Sequence, residues 1–571
     1  MQYIQEFLSE PKIAYFSMEV GFRNDIPTYS GGLGVLAGDT IKSAADLHLP
    51  VVAVTLIHRK GYFRQKLDEK GAQTEFPEEW NPAEQMDLLP QKIHVNIEGR
   101  EVAVQAWVYK ISCKVTRWNV PIFFLDTDVP ENTPEDRKIT DHLYGGDDRY
   151  RFKQEAVLGI GGVRMLRALG FRIKKFHMNE GHASLLTLEL LSRHKRDIEA
   201  VWDERATWDV EKVKDLCVFT THTPVEAGHD KFAYDLVKGV LGDYFPIEVL
   251  KDLGGKDKLN LTLLAMNLSQ YINGVAKKHG EVSKALFPGY EIQAITNGVH
   301  TFTWTCESYA KLYDKYFPGW ANEPELFVRI GKIPDAELWD AHMEAKKKLI
   351  DHVNGLTGAG MNYDTLTLGF ARRATAYKRA NLLFWDAGRL SRIGKGKLQI
   401  IYAGKAHPRD GDGKRNIEEI FRRAEELKAD IKIVYLENYN MELALRLVSG
   451  VDVWLNTPMR PREASGTSGM KAAHNGVLNF SVLDGWWIEG HIEGYTGWSI
   501  GPAPTESTLA LTSDETDAED LYQKLEHQVI PKYYEGRHIW IRMMQNAIGK
   551  NAYYFNSHRM MRRYVTEAYI R

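Results

Sequence analysis

IAYFSMEV, Ile13–Val20, is a short apolar run, and YSGGLGVLAGD, Tyr29–Asp39, follows it. An amphipathic stretch then continues to about Leu47, and VVAVTLI, Val51–Ile57, is a second apolar run. Strand, glycine loop, helix, strand is a βαβ unit, and it commits the chain to a largely parallel sheet. Ile93–Ile97 and Val102–Tyr109 flank the turn Glu98-Gly99-Arg100 and read as a hairpin inserted in that sheet. Further strands are expected at Val120–Leu125, Lys175–Met178, Leu216–Thr220 and Ile292–Thr296.

A helix around Ala336–Val353 runs into NGLTGAGM, Asn354–Met361, a glycine-rich break that reads as the inter-domain linker. A second alternating series follows, with strands expected at Leu366–Phe370, Leu398–Ala403, Ile431–Leu436, Val451–Leu455 and Val477–Val482. Two such series predict an α/β protein of two doubly wound, Rossmann-like domains facing a cleft, at 1–355 and 356–571.

The 571 residues carry 73 Lys plus Arg against 76 Asp plus Glu, a formal net charge of −3. That balance argues against a chain built to wrap nucleic acid or to lie on an anionic membrane. No apolar run is long enough to span a bilayer, and the N-terminus lacks the basic-then-apolar pattern of a secretory signal. Three scattered cysteines, Cys113, Cys217 and Cys306, suggest neither a disulfide framework nor a thiolate zinc site. A cytoplasmic protein is expected.

Four segments carry chemistry. In REASGTSGMKAAHNG, Arg462–Gly476, one lysine sits among small residues. Such a lysine can bond a bulky aldehyde cofactor such as pyridoxal phosphate, and loop N–H groups entering a helix can hold a phosphate. A glycine-serine turn with a solvated lysine has the same composition. In ARRATAYKRA, Ala371–Ala380, the cations Arg372, Arg373, Lys378 and Arg379 follow a strand, at the sheet edge where ligands bind and where a dianion would suit them. A basic helix face in water is the alternative. SGGLG, Ser30–Gly34, opens a helix and could offer N–H groups to an anion. NEGHAS (Asn179–Ser184), TTHTP (Thr220–Pro224) and TNGVHTFTW (Thr296–Trp304) place Asn, His and Thr after strands, suited to sugar hydroxyls. No metal-ligand spacing accompanies them, so no metal is expected. Asp126-Thr127-Asp128 matches the DxD of metal-dependent sugar transferases, a match short enough to arise by chance.

The ordered set SGGLG, NEGHAS, THT, TNG…W, YKR, GKA, LENY and EASGTSGMK resembles the α-glucan (glycogen, starch, maltodextrin) phosphorylases, in their compact prokaryotic form. The resemblance spans nearly the whole chain. It implies the GT-B glycosyltransferase architecture, with a final helix, about 540–571, packing back on the N-terminal domain. It also implies pyridoxal 5'-phosphate held on Lys471 as a Schiff base. Thr467, Ser468, Gly469 and Arg372 would lie near the cofactor phosphate, Trp304 over the cofactor and Tyr439 beside its pocket. Gly31 and Gly32 would offer N–H groups to the substrate phosphate, with Arg373 and Lys378 as its cations. His222 would sit over the glucosyl unit, and Asn297, Glu463, Ser465 and Gly466 would hold its hydroxyls.

Departures from the animal pattern fall at Gly21, where a cofactor-contacting Tyr is common, at Gly469, where Asn is common, and at His300, Phe302 and Thr303 before Trp304. Only Met1–Lys12 precede the first strand, from which activity independent of AMP is expected.

The implied reaction is reversible phosphorolysis: an α-1,4-glucan plus inorganic phosphate gives a shorter glucan and α-glucose 1-phosphate. A second copy of the chain is a further candidate partner. Two other readings are a sugar-nucleotide-dependent glucan synthase of the same architecture and a non-catalytic glucan-binding protein. The synthases carry a second Glu eight residues after the first. Here Glu463 is followed at that distance by Lys471. Intact Lys471, Arg373 and Lys378 argue against a binding protein.

Overall fold

The computed structural model describes residues 4–196, 204–503, 505 and 513–570. Its first half forms strands β1 (Lys12–Ser17), β2 (Val51–Leu56), β3 (Arg64–Leu67), β4 (Gln73–Phe76), β5 (Asp87–Ile97), β6 (Arg100–Ser112), β7 (Asn119–Asp126), β8 (Ile173–Asn179), β9 (Cys217–Thr220), β10 (Lys231–Phe232), β11 (Leu259–Asn260), β12 (Tyr271–Gly274) and β13 (Gln293–Ala294). Nine of these make one sheet, in the order β13-β12-β9-β8-β1-β2-β7-β6-β5. Pairing is parallel from β13 to β7, and β6 and β5 continue antiparallel. The expected hairpin is therefore present but closes an edge of the sheet instead of entering it.

Helix α1, Gly32–Asp46, connects β1 to β2. β1 is buried on both faces. Alternate residues serve opposite layers: Ala14 and Phe16 join one apolar cluster, Ile13 and Tyr15 the other.

The second half adds β14 (Leu366–Ala371), β15 (Leu398–Ala403), β16 (Lys432–Leu436), β17 (Val453–Asn456), β18 (Leu478–Val482) and β19 (Gly497–Ile500), all parallel, in the order β16-β15-β14-β17-β18-β19. Numbered within this series the order is 3-2-1-4-5-6, the doubly wound arrangement. The strand order reverses between β14 and β17, so the loops leaving those two strands flank a crevice. In the first sheet the equivalent reversal lies between β1 and β8.

The helix before the linker runs Asp335–Thr357 and ends on Gly358, left-handed at φ 65°. The turn thus begins at Gly358, four residues beyond the expected Asn354. Leu338, Ala341 and Ala345 on this helix pack with Leu366 and Leu368 of β14, so its apolar face belongs with the second sheet.

At the C-terminus the chain returns. Met560, Met561, Tyr564 and Tyr569 join the cluster of Ile13 and Tyr15. Tyr569 Oη lies 2.6 Å from His177 Nδ1, and Tyr564 Oη lies 3.1 Å from Thr220 Oγ1. The final segment is two helical pieces instead of one. Asn556 bridges to Val299 and caps the new helix Ser557–Tyr564 through its side chain. Arg571 lies outside the described residues.

Asp126 accepts hydrogen bonds from Arg59, Gln105 and Trp107, so the DxD match is an internal ion-pair network. Among the described residues no helix is long and apolar enough to cross a membrane.

Candidate functional site

Cations and one carboxylate meet at the crevice of the second sheet. Arg372 and Lys378 follow β14, and Glu463 follows β17. Glu463 Oε2 accepts from Arg372 Nη2 and from Lys378 Nζ, both at 2.7 Å. Burial works to raise the Glu463 pKa, but the charges of Arg372 and Lys378 outweigh it and hold the group at about 2. Arg372 has donors to spare: its Nε and Nη1 are buried and bond nothing. Unpaired buried guanidinium N–H groups are costly, and a phosphate oxygen is the acceptor such a fork suits.

Beneath Glu463 lies Asp484, which accepts the N–H of Glu463 at 2.8 Å and that of Gly485 at 2.9 Å. Burial pushes the Asp484 carboxyl up to about 7, and the nearby charge of Glu463 adds to the effect.

Arg373 points the other way, into the cleft. Its Nη2 donates to Ser30 Oγ at 3.3 Å, and a side chain on Gly31 would meet Nη2 at 3.4 Å. The start of α1 and Arg373 thus converge across the two sheets. The N–H of Gly31 is already engaged: it donates to Glu19 Oε2 at 3.2 Å, as Ser30 N does at 2.6 Å. This corrects the expectation of two free donors. Gly32 faces open space, with nothing within 4 Å of where a Cβ would stand.

Lys471 sits in the short helix Ser468–Ala473, 7% exposed. Its Nζ lies 3.8 Å from the centroid of the Trp304 ring. Trp304 Nε1 donates in turn to both oxygens of Asp39 on α1, at 3.1 and 2.8 Å. Burial drives the Lys471 pKa down to about 8, with Asp39 opposing and Lys42 adding to the shift. Such an amine is partly neutral near physiological pH and able to attack a carbonyl. Gly469 cannot carry a side chain, because its Cβ would stand 2.3 Å from Asn479 Oδ1 and 2.8 Å from the Trp486 ring. Ser468 Oγ accepts from Trp454 Nε1 at 3.0 Å, and Gly466 takes a left-handed φ of 82°. Tyr439 packs in the cluster that holds Tyr29 and Trp304. The space beside Gly21 is filled by the Tyr29 ring, 2.8 Å from where a Cβ would be.

On the first sheet, His222 Nε2 lies 2.5 Å from Asn179 Oδ1, and His222 N donates to Glu180 Oε2 at 2.7 Å. Burial lowers the His222 pKa to about 4, so the ring is neutral at pH 7. Glu180 has a positive φ of 73° and also accepts from Gly181 N and Thr223 Oγ1, both at 2.9 Å. Strained backbone of this kind clusters at functional sites. Asn297 Oδ1 and Ser465 Oγ are buried without a hydrogen-bond partner. Among the described residues no hydrogen bond or ion pair joins the His222–Asn179 pair to the Glu463 cations.

Sequence reasoning left Glu19, Asp39, Glu180 and Asp484 without roles. All four lie in or beside the segments already singled out. Their signal was a carboxylate at a strand end or within the glycine loop, too common a feature to stand out in one sequence.

A family model described as carbohydrate phosphorylase matches residues 247–493. That span holds Asn297, Trp304, the Arg372–Lys378 segment and Lys471. The chain is 41% identical to a maltodextrin phosphorylase of Thermococcus litoralis, covering 98% of this chain and 70% of that one. It is 37% identical to a glycogen phosphorylase of Aquifex aeolicus, over 98% of this chain and 86% of the other. A glycogen phosphorylase of Mycobacterium tuberculosis is 36% identical over 98% and 70% respectively. Two doubly wound sheets, the cation cluster at their crevice and relatives aligned along almost the full length agree: the chain belongs to the carbohydrate phosphorylase family.

Proposed function

We propose that the chain is an α-1,4-glucan phosphorylase, releasing α-D-glucose 1-phosphate from the end of glycogen, starch or maltodextrin with retention at the anomeric carbon. The observation that carries it is the cation cluster at the second sheet's crevice, with buried guanidinium N–H groups left over, beside a buried amine of lowered pKa.

These residues fit pyridoxal 5'-phosphate. Lys471 Nζ would hold it covalently, Trp304 would cover it, and Arg372 with Thr467, Ser468 and Gly469 would bind its phosphate, with Tyr439 beside it. When bound, it would supply a second phosphate group able to exchange a proton near neutral pH.

The protein's own groups then divide the work. Breaking a glycosidic bond needs an acid for the leaving oxygen and stabilisation of positive charge at the anomeric carbon. Glu463, held at about 2, cannot be the acid. Glu180 is held ionised: burial works to raise its pKa, but His222, His229 and His182 outweigh it. Asp484, raised to about 7, is assigned to holding the Glu463 loop, because both of its oxygens accept backbone N–H groups there. His222 is neutral and carries no proton to give at pH 7.

In this reading the acid is inorganic phosphate, bound by Arg373, Lys378 and the start of α1 at Gly32, since the Gly31 N–H is held by Glu19. It protonates the leaving oxygen and replaces it on the same face, which yields the α product. Lys378 and Arg372 offset the charge of phosphates packed together in a water-poor cleft. His222, Asn297, Glu463, Ser465 and Gly466 orient the glucosyl unit, and exclusion of water keeps the outcome from being free glucose.

Purified protein incubated with phosphate and maltodextrins of defined length tests this directly. Glucose 1-phosphate should form, and the protein should absorb above 300 nm. Release of free glucose alone, or no product with any α-1,4-glucan, would overturn the reading.

A further inference from the structure

Asp46, the last residue of α1, faces two histidines from distant parts of the chain. His300 Nε2 lies 2.7 Å from Asp46 Oδ2, and His558 Nε2 lies 3.2 Å from the same oxygen. The two rings stack, with centroids 5.9 Å apart. His300 is 6% exposed and His558 fully buried. One ligand atom from each of the three residues can be chosen so that all lie within 4.8 Å of one another.

The histidines differ in how they are satisfied. His300 Nδ1 accepts the N–H of Thr303 at 3.3 Å and sits 2.7 Å from Thr303 Oγ1, leaving Nε2 for Asp46. His558 is buried; its Nδ1 has no partner, and its Nε2 meets only Asp46, at 3.2 Å and without the alignment of a hydrogen bond. Both Nε2 atoms meet the same oxygen, Asp46 Oδ2, with His300 the closer of the two. Two buried imidazoles whose Nε2 atoms converge on one carboxylate oxygen, one of them with no partner at Nδ1, are the donor set of a divalent metal ion.

We propose that Asp46, His300 and His558 bind one zinc-type divalent ion, through the Asp46 carboxylate and Nε2 of each histidine. Zinc bonds of ~2.0–2.1 Å place tetrahedral ligand atoms roughly 3.3–3.4 Å apart. The His558 contact is already near that spacing, and His300 needs to withdraw from Asp46 by only about 0.6 Å. The ring then carries its proton on Nδ1, which gives up the N–H it accepts from Thr303 and donates to Thr303 Oγ1, the outer hydrogen bond that fixes a ligating ring. One carboxylate and two neutral imidazoles leave the ion's charge only partly offset. Lys42, whose Nζ is 3.0 Å from Thr303 Oγ1, works against it. A water would complete the four ligands.

The ion would tie the end of α1 to the start of the short helix Thr301–Trp304, which His300 caps, and to Ser557–Tyr564. Asp39, which holds the Trp304 indole, lies two turns up the same helix from Asp46. The site is structural and independent of the proposed catalysis.

The intact protein, dialysed against a chelator, is titrated with Zn²⁺ and separately with Co²⁺. Bound metal is counted by elemental mass spectrometry, and cobalt is followed by its visible d–d bands. One ion per chain, a tetrahedral cobalt spectrum and a raised Tm on adding Zn²⁺ are expected. Asp46→Asn keeps an acceptor for His300 but loses the charge, and it should lose the ion and the cobalt bands. His558→Gln should do the same and serves if the first variant does not fold. A wild-type chain that takes up no stoichiometric ion from micromolar Zn²⁺ overturns the proposal, as does equal binding by either folded variant.

Discussion

Lys471 should react with amine reagents as if it were a far weaker base than an ordinary lysine. Its pKa stands at about 8 against the usual 10.5, because burial removes the ammonium from water and Asp39 only partly compensates. At pH 7.5 roughly a quarter of such amines are neutral, compared with about one in a thousand of exposed lysines, a difference of some ~240-fold. Asp39→Asn retains one acceptor for the Trp304 indole but removes the opposing charge. Labelling should then rise further, by at most about fourfold, because the neutral fraction cannot exceed one.

The sign for stability follows. Between about 8 and 10.5 the unfolded chain holds the proton and the folded one does not, so this group's contribution to stability increases as pH rises through that window. The assay is competitive acetylation of cofactor-stripped protein from pH 6 to 11, with each lysine quantified by peptide mass spectrometry. A Lys471 midpoint at 10 or above would refute the desolvation argument, and so would slower labelling in Asp39→Asn.

Arg373→Ala should raise the KM for phosphate and lower kcat, losing ~2–4 kcal/mol, or roughly 30- to 1000-fold in kcat/KM. Unchanged phosphate dependence would return Arg373 to a solvated role. Glu463→Gln frees Arg372 and Lys378 from their shared anchor, so kcat/KM should fall at least tenfold while the fold, read by circular dichroism, persists. Equal activity would show that the carboxylate does not organise the cations. Gly469→Ala should destabilise the chain by ~1–3 kcal/mol, since neither Asn479 nor Trp486 can withdraw cheaply, and the Tm reports it. Asp484 has a folded pKa raised to about 7, so it costs stability as pH climbs from about 4 to 7. Asp484→Asn should flatten the Tm profile across that window, and an unchanged slope would remove Asp484 as its source.

Much of the architecture was readable from local pattern. Apolar runs of five to eight residues marked β1, β2, β14 and β15, because strands covered on both faces need no alternation. β12 (YING) and β19 (GWSI) escaped because glycine and polar residues break the apolar run, whereas the equally short β9 and β17 lie in more apolar stretches. The polar hairpin β3–β4 escaped for a different reason. Gln65 donates to Gly404 O at 2.9 Å and accepts from Asn438 N at 2.8 Å, so the hairpin is held by backbone groups of the other half of the chain.

The same division runs through the site. A lysine among small residues in EASGTSGMK and four cations after a strand were legible in one dimension, because spacing and side-chain size are properties of the sequence. What those groups become was not. Lys378 and Arg372 are clamped on Glu463, the Gly31 N–H is occupied by Glu19, and Lys471 lies against Trp304 while Asp39 holds the indole from α1. All but the Gly31–Glu19 pairing join segments far apart along the chain, and each sets a pKa or fills a donor. Sequence determined which chemical groups are present and on which loops. Only the tertiary structure decided which charges are desolvated and which are paired, since desolvation and Coulomb energy depend on distance through space.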